Sequence, residues 1–285
     1  MTNSRLRIGW LPALPYVLAG HVIRLAVALV VTHPFASVIE RMLSGWPGGD
    51  RMLFEPGALM LAEVLRVHGV PMSGFLEQGA LAMLGVLPIG IVVNAFVIAS
   101  LVVSNPWDVR AVASLAIDRM VPVAVLTLAA LLVCGGALAA SVVVREGMRA
   151  ALPFDTRTND LLSLLVLLTG VLTAAATVLV ADLARVASVQ SKLDTARALV
   201  RAFESLRRRP WQLVGAFGSR ASAGVFLVAE SATLLSWMPP TGDASFWLGL
   251  TLQQISLLAL PFFHASWLCR AIEDGGGPRD MASPT

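Results

Sequence analysis

Six long apolar runs divide this chain, and their length limits the folds it can adopt. They cover about residues 10–32, 77–103, 121–143, 161–181, 212–236 and 245–268. A helix needs about 20 apolar residues to cross the hydrocarbon core of a bilayer. A membrane β-barrel would instead alternate polar and apolar residues over runs of about ten residues, and these runs do not alternate. The sequence therefore predicts an all-α membrane protein, a single polytopic domain over residues 1–285 with six transmembrane helices.

Composition and tryptophan positions support this interpretation. Hydrophobic residues make up 56% of the chain, charged residues only 14%, and the mean hydropathy is +0.76. Soluble domains carry about 25% charged residues. Indole rings favour the headgroup layer of a membrane. Six of the 7 tryptophans fall at or near the ends of the predicted spans: Trp10, Trp107, Trp211, Trp237, Trp247 and Trp267.

The distribution of basic residues predicts an orientation. The chain has 21 Lys and Arg against 18 Asp and Glu. More of the basic residues fall in the segments that share a side with the N-terminus, and they include Arg207, Arg208 and Arg209. The positive-inside rule then places both termini in the cytoplasm. Because the arginines adjoin apolar spans, we expect them to contact anionic lipid headgroups, and we do not expect nucleic acid as a partner.

The most charged stretch lies between the fourth and fifth runs and predicts an amphipathic helix over residues 184–208 on the inner side. Apolar residues recur in it at helical spacing up to "RRRP", where Pro210 ends the pattern. Three roles are open: a helix on the inner membrane face, a docking surface for a partner, and a coupling element moved by an ATPase. The basic residues of this candidate partner or lipid surface are Arg185, Arg197, Arg201, Arg207, Arg208 and Arg209.

A second amphipathic helix is predicted at the outer interface over residues 56–69, where Pro56 suits a first helical position. Each half of the chain then has three spans and one interfacial helix after its first span. An odd number of spans per half gives the halves opposite orientations, as in the inverted repeats of many transporters. The sequence thus allows a 3+3 inverted repeat, and an old duplication without transport function fits the pattern equally well.

Ionisable residues are rare inside the predicted spans, and such residues are candidates for function because burying them in lipid is costly. The candidate intramembrane polar cluster contains His21, Arg24, Glu230, Gln253 and Gln254. Arg24 and Glu230 lie about equally far along the first and fifth spans, so we expect them to pair inside the bundle. Three interpretations are open: a clamp between helices, a substrate or proton site, and side chains that reach towards the interface.

Small residues predict where helices approach each other. Gly215, Ser219 and Ala223 recur at every fourth position in the fifth span, as do Gly218 and Ser222, and Gly136 with Ala140 in the third. Such small-xxx-small spacing lets backbones come close in lipid. We expect the fifth span to be central and the third to pack against it.

No catalytic, cofactor-binding or metal-binding residues are predicted. Cys134 and Cys269 fall in or at the end of apolar runs, which disfavours a disulfide. His21 and His264 lie at different depths and so make a poor pair of haem ligands. The chain has no clustered His, Cys and carboxylate set for zinc, no phosphate-binding glycine loop and no G-x-S-x-G. These patterns favour a protein that is not an enzyme and carries no cofactor.

The segment "VADLARVASVQ", with "ARALVRAFESLRRRPW" after it, resembles a loose group of uncharacterised six-span bacterial inner-membrane proteins. Their fourth span ends in an Asp-x-Ala-Arg signature, here Asp182, Ala184 and Arg185. "LFEPGALMLAEVL" before the second span is also similar, whereas Leu183 stands where the group has an aromatic residue. The resemblance covers about two thirds of the chain and implies a multi-pass protein of the bacterial cytoplasmic membrane. It transfers no catalytic residues.

These observations together favour an integral membrane subunit or scaffold of a larger membrane assembly, with other membrane protein subunits as partners. The alternative is a transporter of small molecules or lipids, or the permease subunit of an ATP-driven transport system.

Overall fold

The computed structural model describes residues 9–43, 72–151, 156–237 and 243–275. Every regular element in these ranges is a helix. A single 3-10 turn, Leu11–Ala13, leads into the first of them. The α-helices are α1 (Leu14–Leu43), α2 (Met72–Val102), α3 (Val109–Asp118), α4 (Met120–Ala151), α5 (Thr156–Gln190), α6 (Thr195–Arg208), α7 (Pro210–Trp237) and α8 (Asp243–Gly275).

Six helices (α1, α2, α4, α5, α7 and α8) are long and apolar enough to cross a membrane, which confirms the predicted fold class. The candidate spans are Leu11–Val30, Leu84–Val102, Met120–Ala150, Thr158–Gln190, Pro210–Leu234 and Trp247–Asp274. They coincide with the six predicted runs, although several extend further. The predicted outer helix at residues 56–69 lies outside the described residues.

The predicted inner amphipathic helix over residues 184–208 is wrong in its first turns. Residues 184–190 continue α5, the backbone turns at Lys192 with φ 52°, and α6 begins only at Thr195. A positive φ breaks helical geometry. The side chain of Asp194 then caps α6 by accepting a hydrogen bond from the backbone nitrogen of Arg197 over 2.8 Å. The Asp194 cap thus separates a transmembrane helix from a short amphipathic one.

A short helix, α3, lies between the second and third spans, where the sequence analysis predicted no helix. Oδ1 of Asp108 accepts hydrogen bonds from the backbone nitrogens of Arg110 and Ala111, both at 3.1 Å, and so begins the helix. Val112 and Ala116, one turn apart, form its buried side. The segment thus contributes apolar side chains to the protein interior.

The chain divides into two compact units, one of residues 1–13, 95–219 and 265–285, and one of residues 14–94 and 220–264. Each mixes residues from both halves of the sequence, so neither corresponds to one half of a 3+3 repeat, which stays a prediction. The first unit has a buried core to which α2, α3, α4, α5, α7 and α8 all contribute. Its largest fully buried side chains include Ile98, Val112, Val123, Val189, Leu213, Trp267 and Leu268.

Within the first unit, α4 and α5 pack against each other as neighbours in sequence. Gly170 of α5 lies directly against Ser141 of α4, where an added Cβ would overlap the serine Oγ. One turn further along α5, the carbonyl of Ala174 accepts a hydrogen bond from Sγ of Cys134 over 3.5 Å. A glycine and a cysteine therefore set the close approach of these two spans.

Within the second unit, α1 packs on α2 and α7 on α8 through two other glycines. A Cβ on Gly20 would lie 2.6 Å from Val93 Cγ1, and one on Gly224 would lie 2.9 Å from Leu260 Cδ2. Gly136, Gly215 and Gly218 have nothing within 4 Å of such a Cβ among the described atoms. The small-residue spacing in the sequence therefore did not identify the glycines at which the helices meet.

Candidate functional site

The five residues of the predicted intramembrane cluster are not joined to one another. Glu230 and Gln253 are exposed, whereas His21, Arg24 and Gln254 are half-buried. Among the described residues, no ion pair within 4.0 Å and no hydrogen bond links any two of the five. The predicted pair of Arg24 and Glu230 is therefore not formed within this chain.

Arg24 lies beside α2 instead. Its Nη2 is 3.9 Å from the position that a Cβ on Gly90 would occupy, so the guanidinium lies at contact distance from α2 at this glycine. Gly20, one turn earlier on α1, is the residue that meets Val93 of α2. Arg24 therefore follows directly on the contact between α1 and α2, on the same side of α1 as Gly20.

A buried charged cluster that the sequence did not predict lies in the first unit. Asp182 of α5 is 0% exposed and Arg185 is 7% exposed. Nη1 of Arg185 donates to Oδ1 of Asp182, one turn away on the same helix. Nε1 of Trp267 in α8, itself 1% exposed, donates to Oδ2 of Asp182 over 3.1 Å. Both oxygens of the buried carboxylate are thus used.

The surroundings of this cluster connect three transmembrane helices. The ring of Phe217 in α7 meets the indole of Trp267 edge to face, with centroids 5.4 Å apart and planes at 75°. The hydroxyl of Ser188 donates to the carbonyl of Arg185 over 2.9 Å. Nε of Arg185 is buried and has no hydrogen-bond partner among the described atoms. The polar centre therefore holds α5, α7 and α8 together inside a largely apolar core.

Two expectations are corrected by this cluster. Arg185 was expected on the exposed basic surface, but it is buried because it pairs with the buried carboxylate of Asp182. Trp267 was expected in the headgroup layer, but its indole is enclosed by protein and donates to the same carboxylate. The Asp-x-Ala-Arg segment thus carries a structural ion pair at the end of α5, with Asp182 and Arg185 one turn apart.

The other predicted basic residues lie on or just after α6 and are more exposed than Arg185. Arg197 and Arg201 pair with acidic neighbours, Asp194 at 3.5 Å and Glu204 at 3.6 Å. Arg209 reaches Asp274 of α8 at 3.7 Å, and Arg270 reaches the same carboxylate at 2.7 Å.

Arg207 and Arg208 are exposed and have no ion pair among the described residues. They are the free cations of this surface.

The apolar residues of α6 lie on two faces. Ala198 and Ala202 are buried against the rest of the first unit. Val200 and Phe203 are 60% and 58% exposed, and with Arg207 they follow one another at helical spacing along the outer side of α6. Trp211, at the start of α7, is exposed as well. The α6 surface (Val200, Phe203, Arg207 and Arg208) is therefore apolar and basic at once, directly before a transmembrane helix.

Among the described residues, no group of three or more His, Cys, Asp or Glu side chains is arranged to hold a metal ion. Within the described residues, neither Cys134 nor Cys269 is part of a disulfide. The buried polar cluster of the first unit combines a carboxylate, a guanidinium and an indole, and these groups stabilise the carboxylate charge by hydrogen bonding within the protein.

Comparison with models of known protein families gives no match, and comparisons with curated proteins and with solved structures give none either. Inference about the function of this chain therefore depends on its own sequence and geometry.

Proposed function

We propose that the protein is a non-enzymatic integral subunit or scaffold of a larger assembly in the bacterial cytoplasmic membrane. Other membrane protein subunits are its partners, and both termini face the cytoplasm. The Asp-x-Ala-Arg segment and its likeness to bacterial inner-membrane proteins support the location. The excess of basic residues on the side of the N-terminus supports the orientation.

The observation that carries the proposal is the exposed carboxyl group of Glu230. This residue lies inside the candidate span Pro210–Leu234 of α7 and has no ion pair or hydrogen bond among the described residues. An ionisable group facing lipid is costly, and such groups face a protein interior or a water-filled cavity in nearly all membrane proteins. A neighbouring protein chain on this face of α7 removes the group from lipid.

The α6 surface fits a supporting role at the inner membrane face. Val200 and Phe203 enter the boundary between headgroups and acyl chains, and Arg207 and Arg208 contact anionic headgroups. The buried Asp182–Arg185–Trp267 cluster fixes the helices on which α6 is carried. The bilayer, including its anionic lipids, is therefore the second partner of this protein.

A transporter, or the permease subunit of an ATP-driven system, is the second candidate. Pro88 lies inside α2 and Pro261 inside α8, and each removes one backbone donor from a transmembrane helix. The freed carbonyls, of Leu84 and Leu257, are available to other partners. Broken helical hydrogen bonding near polar groups recurs at transporter binding sites, and solute flux through the purified protein in liposomes would favour this candidate.

The test of the proposal is the state of the protein after gentle extraction, with and without the Glu230 carboxyl. We expect the parent protein to elute as a complex that contains more than one 30.1 kDa chain or a second kind of chain. Glu230→Leu should weaken that complex, and Glu230→Gln should keep it because an amide still forms hydrogen bonds. Glu204→Leu on α6, outside the spans, is the matched control. A parent protein that elutes as a single chain without companions contradicts the proposal.

A further inference from the structure

Glu230 has a counterpart of opposite charge in the same compact unit. Arg24 lies inside the candidate span Leu11–Val30 of α1, half-buried, with no ion pair among the described residues. Each of the two side chains is an ionisable group in an apolar span. Each requires a partner for the same physical reason, since lipid offers neither hydrogen bonds nor counter-charge at that depth.

The direction of the two helices and the depth of the two residues in the membrane both allow Arg24 and Glu230 to pair. α1 and α7 are the first and fifth spans, so alternation makes them cross the membrane in the same direction. Arg24 and Glu230 both lie in the second half of their candidate spans. The long arginine side chain compensates for a difference in depth of several ångströms.

Within one chain, the opposite charges of Arg24 and Glu230 do not pair with each other. The guanidinium of Arg24 lies next to Gly90 of α2, and the carboxyl of Glu230 is exposed on α7. The exposed Glu230 carboxyl is accessible to a second copy of the chain, and that copy carries its own Arg24. A two-fold arrangement would satisfy both charges twice, because an isologous interface makes each contact in duplicate.

We propose that two copies of this chain associate in the membrane so that Glu230 of one pairs with Arg24 of the other. This inference rests on the proposed function, since it names a second copy as one of the chains in the assembly. Within the chain, the Arg24 guanidinium lies next to Gly90, with its Nη2 3.9 Å from the position that a Cβ there would occupy. The exposed Ser222 and Phe226, on the same face of α7 as Glu230, supply the surrounding contact.

A charge exchange between two differently tagged copies tests the proposal. One copy carries Arg24→Glu and therefore has two acidic residues at these positions, and the other carries Glu230→Arg and has two basic ones. Each variant alone should lose self-association by about tenfold or more, a loss of about 1.4 kcal/mol. The two variants co-expressed should associate with each other as well as the parent does. Arg110→Glu, which changes an exposed arginine of α3 outside the candidate spans, is the control and should leave self-association unchanged.

This design separates pairing between chains from pairing within one chain. In each single variant the two positions carry like charges, so only a second, different copy can restore attraction. Suppose that self-association recovers when one chain carries both Arg24→Glu and Glu230→Arg, but not when the two single variants are mixed. The pair is then intramolecular and the proposal is wrong. A parent protein that binds other subunits but never a second copy also overturns it, and leaves the proposed function intact.

Cysteine cross-linking provides a readout in case the charge variants fold poorly. Arg24→Cys in one tagged copy and Glu230→Cys in the other, with Cys134 and Cys269 replaced by alanine, should give a mixed dimer in membranes with a bifunctional thiol reagent, because the long side chains of an Arg–Glu pair hold the Cα atoms beyond the roughly 7 Å limit of a direct disulfide. Val133→Cys, exposed on α4, replaces Arg24→Cys in the control and should give no mixed dimer. Equal cross-linking by the two cysteines would overturn the proposed contact.

Discussion

Nε1 of Trp267 donates a hydrogen bond to Oδ2 of Asp182 over 3.1 Å and thereby joins α8 to α5 across 85 residues of sequence. The other carboxylate oxygen accepts from Arg185, so the buried charge has a donor on each side. A buried carboxylate without such partners is strongly destabilising. This cluster is therefore the polar centre on which the packing of α5, α7 and α8 depends.

We predict that Asp182→Ala lowers the melting temperature of the purified protein clearly. Removing one member of a buried ion pair leaves the other charge unmatched and costs about 3–5 kcal/mol in soluble cores. Asp182→Leu combined with Arg185→Met should recover much of this loss, because no orphan charge remains. Melting curves in detergent that coincide for the parent, the single variant and the double variant would show that the pair contributes nothing to stability.

Trp267→Phe tests the interhelical hydrogen bond separately from the ion pair. The phenyl ring retains most of the apolar contact but leaves Asp182 Oδ2 without the indole donor. We expect a loss of about 1.5–3 kcal/mol, the usual contribution of a hydrogen bond to a charged group. Trp211→Phe, at an exposed position, is the matched control and should change the free energy of unfolding little. Equal effects of the two substitutions would contradict this role of Trp267.

Gly170→Ala should destabilise the packing of α4 on α5, because the new Cβ overlaps the hydroxyl of Ser141. Overpacking of this kind typically costs about 1–3 kcal/mol. The same change at Gly136 meets open space and should be nearly neutral. Replacing Ser141 with glycine in the Gly170→Ala variant should restore the melting temperature, and failure to do so would show that the strain lies elsewhere.

The N-cap of α6 gives a local prediction. Asp194→Ala removes the side chain that accepts from the backbone nitrogen of Arg197, and losing such a cap costs about 0.5–2 kcal/mol. Amide hydrogens in the first turn of α6 should exchange faster, while those of α5 before Gln190 should be unaffected. Hydrogen exchange with mass spectrometry makes the comparison, and uniform acceleration over both helices would contradict an independent α6.

The proposed orientation predicts which cysteines an impermeant reagent reaches in intact cells. In a background without Cys134 and Cys269, cysteines at Ser44 and Thr158 should label from outside. Cysteines at Ser191 and Ser283 should label only after the membrane is opened, because the basic α6 region faces the cytoplasm. If the cysteine at position 191 is labelled in intact cells, the orientation is the opposite of the one proposed and α6 does not lie at the inner membrane face.

The long apolar runs were sufficient to predict the six spans, because hydrophobic length is a property of local sequence. The role of Asp182 and Arg185 was not predictable in the same way. Their one-turn spacing is visible in the sequence, but their burial depends on Trp267, which is distant in sequence. The break at Lys192 was missed because the amphipathic pattern continues across it.

Packing between spans was the least predictable feature. Gly20, Gly170 and Gly224 meet other helices closely, while Gly136, Gly215 and Gly218, which have small-residue spacing, do not. A small residue permits close approach, but the neighbouring helix decides whether it occurs. Similarly, the charges of Arg24 and Glu230 suggested a pair within one chain. Because Glu230 is exposed, we instead expect its partner on a neighbouring chain.

The central claim is that this chain works as a subunit of a larger membrane assembly. Its most direct test is native mass spectrometry of particles excised from the cell membrane with a nanodisc-forming polymer, without prior detergent. We predict that the main species exceeds one chain of 30.1 kDa plus lipid, and that Glu230→Leu shifts it towards the single chain. A parent species that contains one chain and lipid only, and that transports solute when reconstituted alone, would contradict the account.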